Sequence, residues 1–306
     1  MLITLIKGYI TLGGNLYMDT LGLSLEWFVN VDHLPFFAGL YQGFFKDEGI
    51  DLHIVEPVNH EAGMKLVSTG KLDIAITEPV HMPEAVANGL RIKAFAKYFI
   101  TGFGIITKSN IKDFSQFRGI RVATPLGKYT KIIIREMAKY KGIEIDPNEI
   151  EVIPASYYLV DALLSNKAEA AFAAFENYEV VEAKYKGLDV NFFRFTDYGV
   201  PSYGYLVLVA RTETLRKKRD LIRGFLDALR RSIRFTLEYP DKAFNALITY
   251  VPILDNELNR IIMRETLKCF TDNFSLSKEE WEKLANFYYK HWNKRIDASD
   301  MIESFV

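Results

Sequence analysis

Short apolar runs alternate with longer amphipathic stretches from residue 22 to residue 209, and that alternation restricts the chain to the α/β class. Runs over 22–28, 51–56, 72–76 and 92–98 read as strands. Segments 34–48, 60–68 and 82–87 carry helical spacing, and Gly49, Gly70 and Gly89 stand just beyond them, where helices end. A second series opens at 103–107. It continues with strands over 120–123, 150–153, 170–175, 190–195 and 203–209, and helices over 114–117, 129–140, 157–165 and 177–185. From Asp220 the pattern is almost wholly helical, in four stretches broken at Pro240, Pro252 and Ser275.

Two series imply two lobes, since 306 residues exceed the ~100–200 of a usual domain. The spacing predicts a first lobe from 18–108 plus 206–306 and a second from 109–205. The chain is expected to cross at 103–107 and return at 205–209. Two crossings make a hinge, and a ligand site between lobes is the expectation for such a fold.

Other totals exclude function classes. A net charge of -1 carries no basic excess for nucleic acid. The single cysteine, Cys269, excludes an internal disulfide and any multi-thiolate metal or iron–sulfur site. It falls in a periodic apolar stretch, 261–270, and reads as a small buried hydrophobe. His53, His60 and His291 stand apart along the chain and read as structural, so no metal site is expected. Residues 1–17 form an N-terminal extension or a signal-like segment. Lys7 interrupts its apolar run, Gly13-Gly14-Asn15 is a poor cleavage site, and Met18 is an equally good start, so localisation stays open. Nothing in the sequence sets an oligomeric state.

The run LEWFVNVDHLPFF (25–37), followed by GFFKDEGID (43–51) and VEP (55–57), resembles the opening of the thiamine-pyrimidine precursor family. STGKLDI (68–74), DFSQFRG (113–119) and YPDKA (239–243) continue the likeness over nearly the whole chain after Met18. That family includes formylaminopyrimidine-binding proteins of ABC importers and fungal thiamine-pyrimidine synthases, with alkanesulfonate binders as distant relatives. The resemblance implies a two-lobed, periplasmic-binding-protein-like (Venus-flytrap, type II) fold with a helical C-terminal segment. It also implies a small aminopyrimidine-like ligand and an ABC transporter permease as partner.

Site residues follow from the loops at strand ends. Trp27 offers a face for a flat ring, and His33 a donor or acceptor for a ring nitrogen, with Asn30 in the same loop. Glu78 and His81 follow the third strand. In the synthases the matching loop carries a lysine that forms the pyridoxal phosphate Schiff base and a histidine consumed as pyrimidine donor. Here the lysine position is Thr77, which forms no imine, while the histidine position is His81. The cysteine-rich, iron-associated segment of the synthases has no counterpart in DYGVPSYGY (197–205). Glu176 ends the 170–175 strand and suits an aminopyrimidine edge, with Tyr158 and Tyr203 as wall residues. Gly127, Lys128 and Thr130 form a candidate anion loop at a helix N-terminus. The expected mechanism is lobe closure over a ring stacked on Trp27, with His33 and Glu78 on one side and Glu176 on the other. The expected activity is binding without a cofactor. The alternative is a pyridoxal-phosphate-dependent pyrimidine synthase that uses His81.

Overall fold

The structure is a computed structural model that describes residues 18–155 and 158–305; the 1–17 segment and Tyr157 lie outside them. The chain divides into two compact units. Of the described residues, the first comprises 18–99, Leu206–Trp281 and 296–305. The second comprises Ile100–Tyr205 and Glu282–Arg295.

The first unit is built on a five-stranded sheet of β1 (Asp19–Ser24), β2 (Ile50–Val55), β3 (Ile74–Thr77), β4 (Ile92–Ile100) and β10 (Tyr205–Arg211), in the order β2-β1-β3-β10-β4. β1 pairs in parallel with β2 and β3, whereas β10 runs antiparallel to β3. The all-apolar stretches of β3 and β10 are buried throughout, apart from the last residue of β10, as strands covered on both faces require. Helix Leu34–Gln42 packs against helices Arg219–Glu238 and Pro240–Tyr250. Helix Arg219–Glu238 presents Ile222, Phe225, Leu226, Leu229 and Ile233 on one buried stripe, the i, i+3, i+4, i+7 spacing of a core-facing helix. The single helix expected over 34–48 is interrupted at Gly43, whose φ of 80° ends one helix before Phe44–Asp47 begins another turn.

The second unit holds β5 (Phe103–Lys108), β6 (Arg121–Thr124), β7 (Glu151–Pro154), β8 (Ala170–Phe175) and β9 (Val190–Arg194), in the order β7-β6-β8-β5-β9. β6 is parallel to β7 and β8, and β5 is antiparallel to β8 and β9. In each sheet the strand at the fourth position, β10 or β5, runs antiparallel to the third. Aromatic rings fill this unit's core: Phe103 lies 5.0 Å from Phe175 and 5.2 Å from Phe195, both edge to face.

Two boundaries differ from those the spacing predicts. β5 belongs to the second unit, because its hydrogen bonds go to β8 and β9. The stretch Glu282–Arg295 belongs there too, although the helix that contains it, Lys278–Trp292, starts in the first unit. Phe287 meets Tyr203 at 6.4 Å, Trp292 meets Tyr129 at 5.3 Å, and Lys290 pairs with Glu136. Among the described residues no helix is long and apolar enough to cross a membrane.

Candidate functional site

In the first unit, functional groups gather beyond the C-terminal ends of β1 and β3, where open α/β sheets present their ligand-binding loops. The loop after β1 is fixed by its own side chains. Asn30 is fully buried: its Oδ1 accepts from the Asp32 N–H at 2.7 Å and its Nδ2 donates to the Phe28 carbonyl at 3.1 Å. The Asn30 N–H donates to His33 Nδ1 at 3.2 Å, leaving His33 Nε2–H to both oxygens of Glu26, at 3.0 and 3.1 Å. Burial works to lower the His33 pKa, but the charge and hydrogen bond of Glu26, with Asp32 and Glu56, outweigh it and raise it. Asn30 and His33, both expected to contact a ligand, are buried here, and their polar atoms hold the loop. Trp27 is 8 % exposed, with its ring 4.6 Å from that of Phe28.

Beyond β3 stands a second group. Glu78 has an extended backbone and precedes the short helical turn Pro79–His81, yet its carboxylate does not cap that turn. The side chain is buried, and Oε2 makes no hydrogen bond among the described residues. Burial and the nearby Glu26 charge push its carboxyl up to about 8, against a small opposing backbone hydrogen bond. His81 Nε2 lies 3.5 Å from Glu78 Oε2, and His60 Nδ1 lies 3.9 Å from Glu78 Oε1. The two imidazole rings stack at 5.9 Å with 22° between their planes. One donor atom from each of His60, Glu78 and His81 falls within 4.8 Å of the others. Burial lowers the His60 pKa despite the Glu26 and Glu61 charges. Thr77 and Tyr98, both fully buried, carry hydroxyls without a hydrogen bond among the described residues. The charges of Glu26, Asp32 and Glu78 act on the Tyr98 hydroxyl, after burial, to raise its pKa.

Glu26, His60 and Tyr98 were not foreseen. Only Glu26 carries a sequence signal, as a carboxylate inside an apolar run. His60 looked isolated because a helix and β3 separate it from Glu78 and His81 along the chain. His53 pairs with Asp51 at 2.9 Å and His291 faces Glu136 at 3.8 Å, so neither joins this group.

In the second unit, Glu176 is 41 % exposed at the end of β8, and Arg194 Nη2 donates to its Oε2 at 2.5 Å. Its backbone N–H donates to the Gly102 carbonyl at 2.8 Å. Tyr158 is 68 % exposed at the start of helix Leu159–Leu164. Tyr203 is buried between the rings of Phe195 and Phe287, at 6.3 and 6.4 Å, so its expected place on an open wall is corrected to a core position. In the expected anion loop Gly127 and Lys128 are exposed, but Thr130 is fully buried. Its hydroxyl donates to the Leu126 carbonyl at 3.0 Å, which removes it from the loop's open face.

The sheet orders and the loops at the strand ends define a protein of the periplasmic-binding-protein fold. The periplasmic aliphatic sulphonate binding protein SsuA of Escherichia coli superposes with a TM-score of 0.72 over 93% of this chain and 92% of that one, at 13% identity. A Candida albicans protein described as having the generic periplasmic binding protein fold superposes at 0.60 over 94% and 92%, at 18% identity. Residues 30–243 match the NMT1/THI5-like family, and the chain belongs to it. Among its relatives, the formylaminopyrimidine-binding protein of Halalkalibacterium halodurans is 22% identical over 300 residues, 94% of this chain and 88% of that one. The 4-amino-5-hydroxymethyl-2-methylpyrimidine phosphate synthase of Legionella pneumophila is 26% identical over 275 residues, 88% and 85% of the two chains. The family likeness read from the 25–57 segment is thus borne out.

Proposed function

We propose that this chain is a substrate-binding protein that takes up a small heteroaromatic ligand, a thiamine pyrimidine precursor, and delivers it to an ABC-type importer. The observation that carries the reading is Glu78: a buried carboxylate at a strand end, spent neither on a helix cap nor on a hydrogen bond at Oε2. A buried polar atom held in this way is costly unless a partner arrives, and the amine edge of an aminopyrimidine is such a partner. Trp27, 8 % exposed, is the proposed stacking face, and His81 lies beside the carboxylate. In the second unit Glu176 and Arg194 present an exposed acceptor and donor, with Tyr158 as an open aromatic. Membership of the family supports the reading, as does the near full-length likeness to a formylaminopyrimidine-binding protein. The synthase reading is disfavoured by Thr77 and by a chain whose one cysteine is Cys269.

Calorimetric titration of metal-stripped protein with formylaminopyrimidine and hydroxymethylpyrimidine tests this. Glu78→Gln and Glu176→Ala are each expected to weaken binding by more than ~1 kcal/mol, with unchanged urea midpoints. Absence of aminopyrimidine binding to the wild type overturns the proposal. An imine absorption band on adding pyridoxal phosphate overturns it in favour of the synthase.

A further inference from the structure

We propose that His60, Glu78 and His81 form a binding site for one divalent transition-metal ion of the zinc class. The three residues come from two separate segments, the loop before helix Ala62–Ser68 and the turn after β3, and converge only in the fold. Two imidazoles and one carboxylate are the donor set of three-ligand zinc sites, which keep a fourth position for water or a ligand. The distances agree with that chemistry. Metal–nitrogen and metal–oxygen bonds of about 2.0–2.2 Å at tetrahedral angles set ligand atoms roughly 3.4 Å apart. The contacts of Glu78 with His81 and His60 are 3.5 and 3.9 Å, and the whole donor set lies within 4.8 Å. Charge-assisted hydrogen bonds are shorter, at about 2.7–2.9 Å, so the spacing suits a shared cation better than a shared proton.

The electrostatic surroundings call for such a cation. Glu26 and Glu78 are both buried here, and His33 is hydrogen-bonded to Glu26. Glu78 faces His60 and His81, and a divalent ion among the three neutralises its carboxylate without drawing on the Glu26–His33 pair. The two rings stack at a shallow angle, and one nitrogen of each lies within 4 Å of the same carboxylate. The proposal deepens the binding-protein reading, because a metal with an open position gives a ring nitrogen or amine a direct anchor. It rests on donor geometry and does not require that the ligand be a pyrimidine.

The full-length protein, stripped with chelator and dialysed, is titrated with zinc alone against a competing chromophoric chelator, with no pyrimidine present. Cobalt(II) in a parallel titration reports geometry through its visible absorption. One equivalent of tight zinc and an intense tetrahedral-type cobalt band are expected. His60→Ala, Glu78→Gln and His81→Ala should each weaken zinc ~10-fold or more, whereas His53→Ala should leave binding unchanged. Circular dichroism checks that the variants fold. For any that do not, the wild-type stoichiometry and cobalt band still decide. No stoichiometric zinc, an octahedral cobalt spectrum, or zinc binding that survives all three substitutions overturns the site. Pyrimidine binding is measured separately on metal-free and on zinc-loaded protein: absence in both overturns the binding-protein reading alone, and the zinc titration decides the metal site alone.

Discussion

At the residue scale, the Glu26–His33 pair is the part of the site with the clearest energetic consequence. Both side chains are buried, and His33 joins Glu26 to the Asn30 backbone. Glu26→Ala leaves the buried His33 Nε2–H without its acceptor, and a loss of about 1–3 kcal/mol is expected from urea unfolding. The pH dependence has a definite sign. Because the His33 pKa is raised on folding, its contribution is fully present below the unfolded value of about 6.5 and is lost as pH rises through the folded value. The stability difference between wild type and His33→Gln should therefore be largest near pH ~6 and shrink toward alkaline pH. Equal differences in urea midpoints across that range would show that His33 folds as the neutral imidazole. Trp27, Glu78 and His81 were legible as candidates because each follows a recognisable strand. The lining of the site was not legible, because pairing such as His60 with Glu78 is a property of tertiary approach and leaves no periodic trace. Residue type alone also cannot tell a polar group that faces a ligand from one that holds a loop, and the loop-holding bonds of Asn30 and His33 form only in the fold.

Elements were easier to read than residues. Every strand of both sheets was visible as an apolar run, with ends displaced by a few residues where pairing, and not hydropathy, decides the limit. The partner of β5 was not visible, since a run such as Phe103–Lys108 has the same pattern in either sheet. Gly104 illustrates what that pairing demands. A Cβ there would lie 2.2 Å from the Phe193 carbonyl oxygen, against backbone that cannot swing aside. Gly104→Ala is expected to separate β5 from β9 and cost about 1–3 kcal/mol in urea unfolding, while Gly127→Ala, with only a distant neighbour at 3.8 Å, serves as control. The docking of 282–295 on the second unit has an electrostatic latch. Burial tends to raise the Glu136 pKa, but Lys290, His291 and Arg135 outweigh it and hold the carboxyl below its ordinary value. That contribution is present above the unfolded carboxylate pKa of about 4.3 and is lost as pH falls through the folded value. Hydrogen exchange across 282–295 should accelerate in acid before it does in β6 or β8. Glu136→Gln should show the faster exchange already at neutral pH.

For the whole molecule, two lobes were foreseeable from length and from two successive βα series, but where one unit yields to the other was not. A binding protein must also be stabilised by its cargo. With an aminopyrimidine at ~100 times its Kd, unfolding should cost about 2.7 kcal/mol more, and calorimetric Tm should climb with the logarithm of ligand concentration. A Tm indifferent to ligand would contradict the proposed function. The insertion of β10 between β3 and β4 has a consequence in time. All strands of the second sheet have been made once Arg194 is joined, whereas the first sheet, begun at Asp19, waits for Tyr205–Arg211. At about 5–20 residues per second, a nascent chain carries β3 with one edge bare for on the order of ten seconds. A bare edge between two apolar strands invites pairing with other chains. The sheet that starts first is finished last, and a message truncated before codon 205 yields a chain with an open seam through the middle of its proposed binding unit.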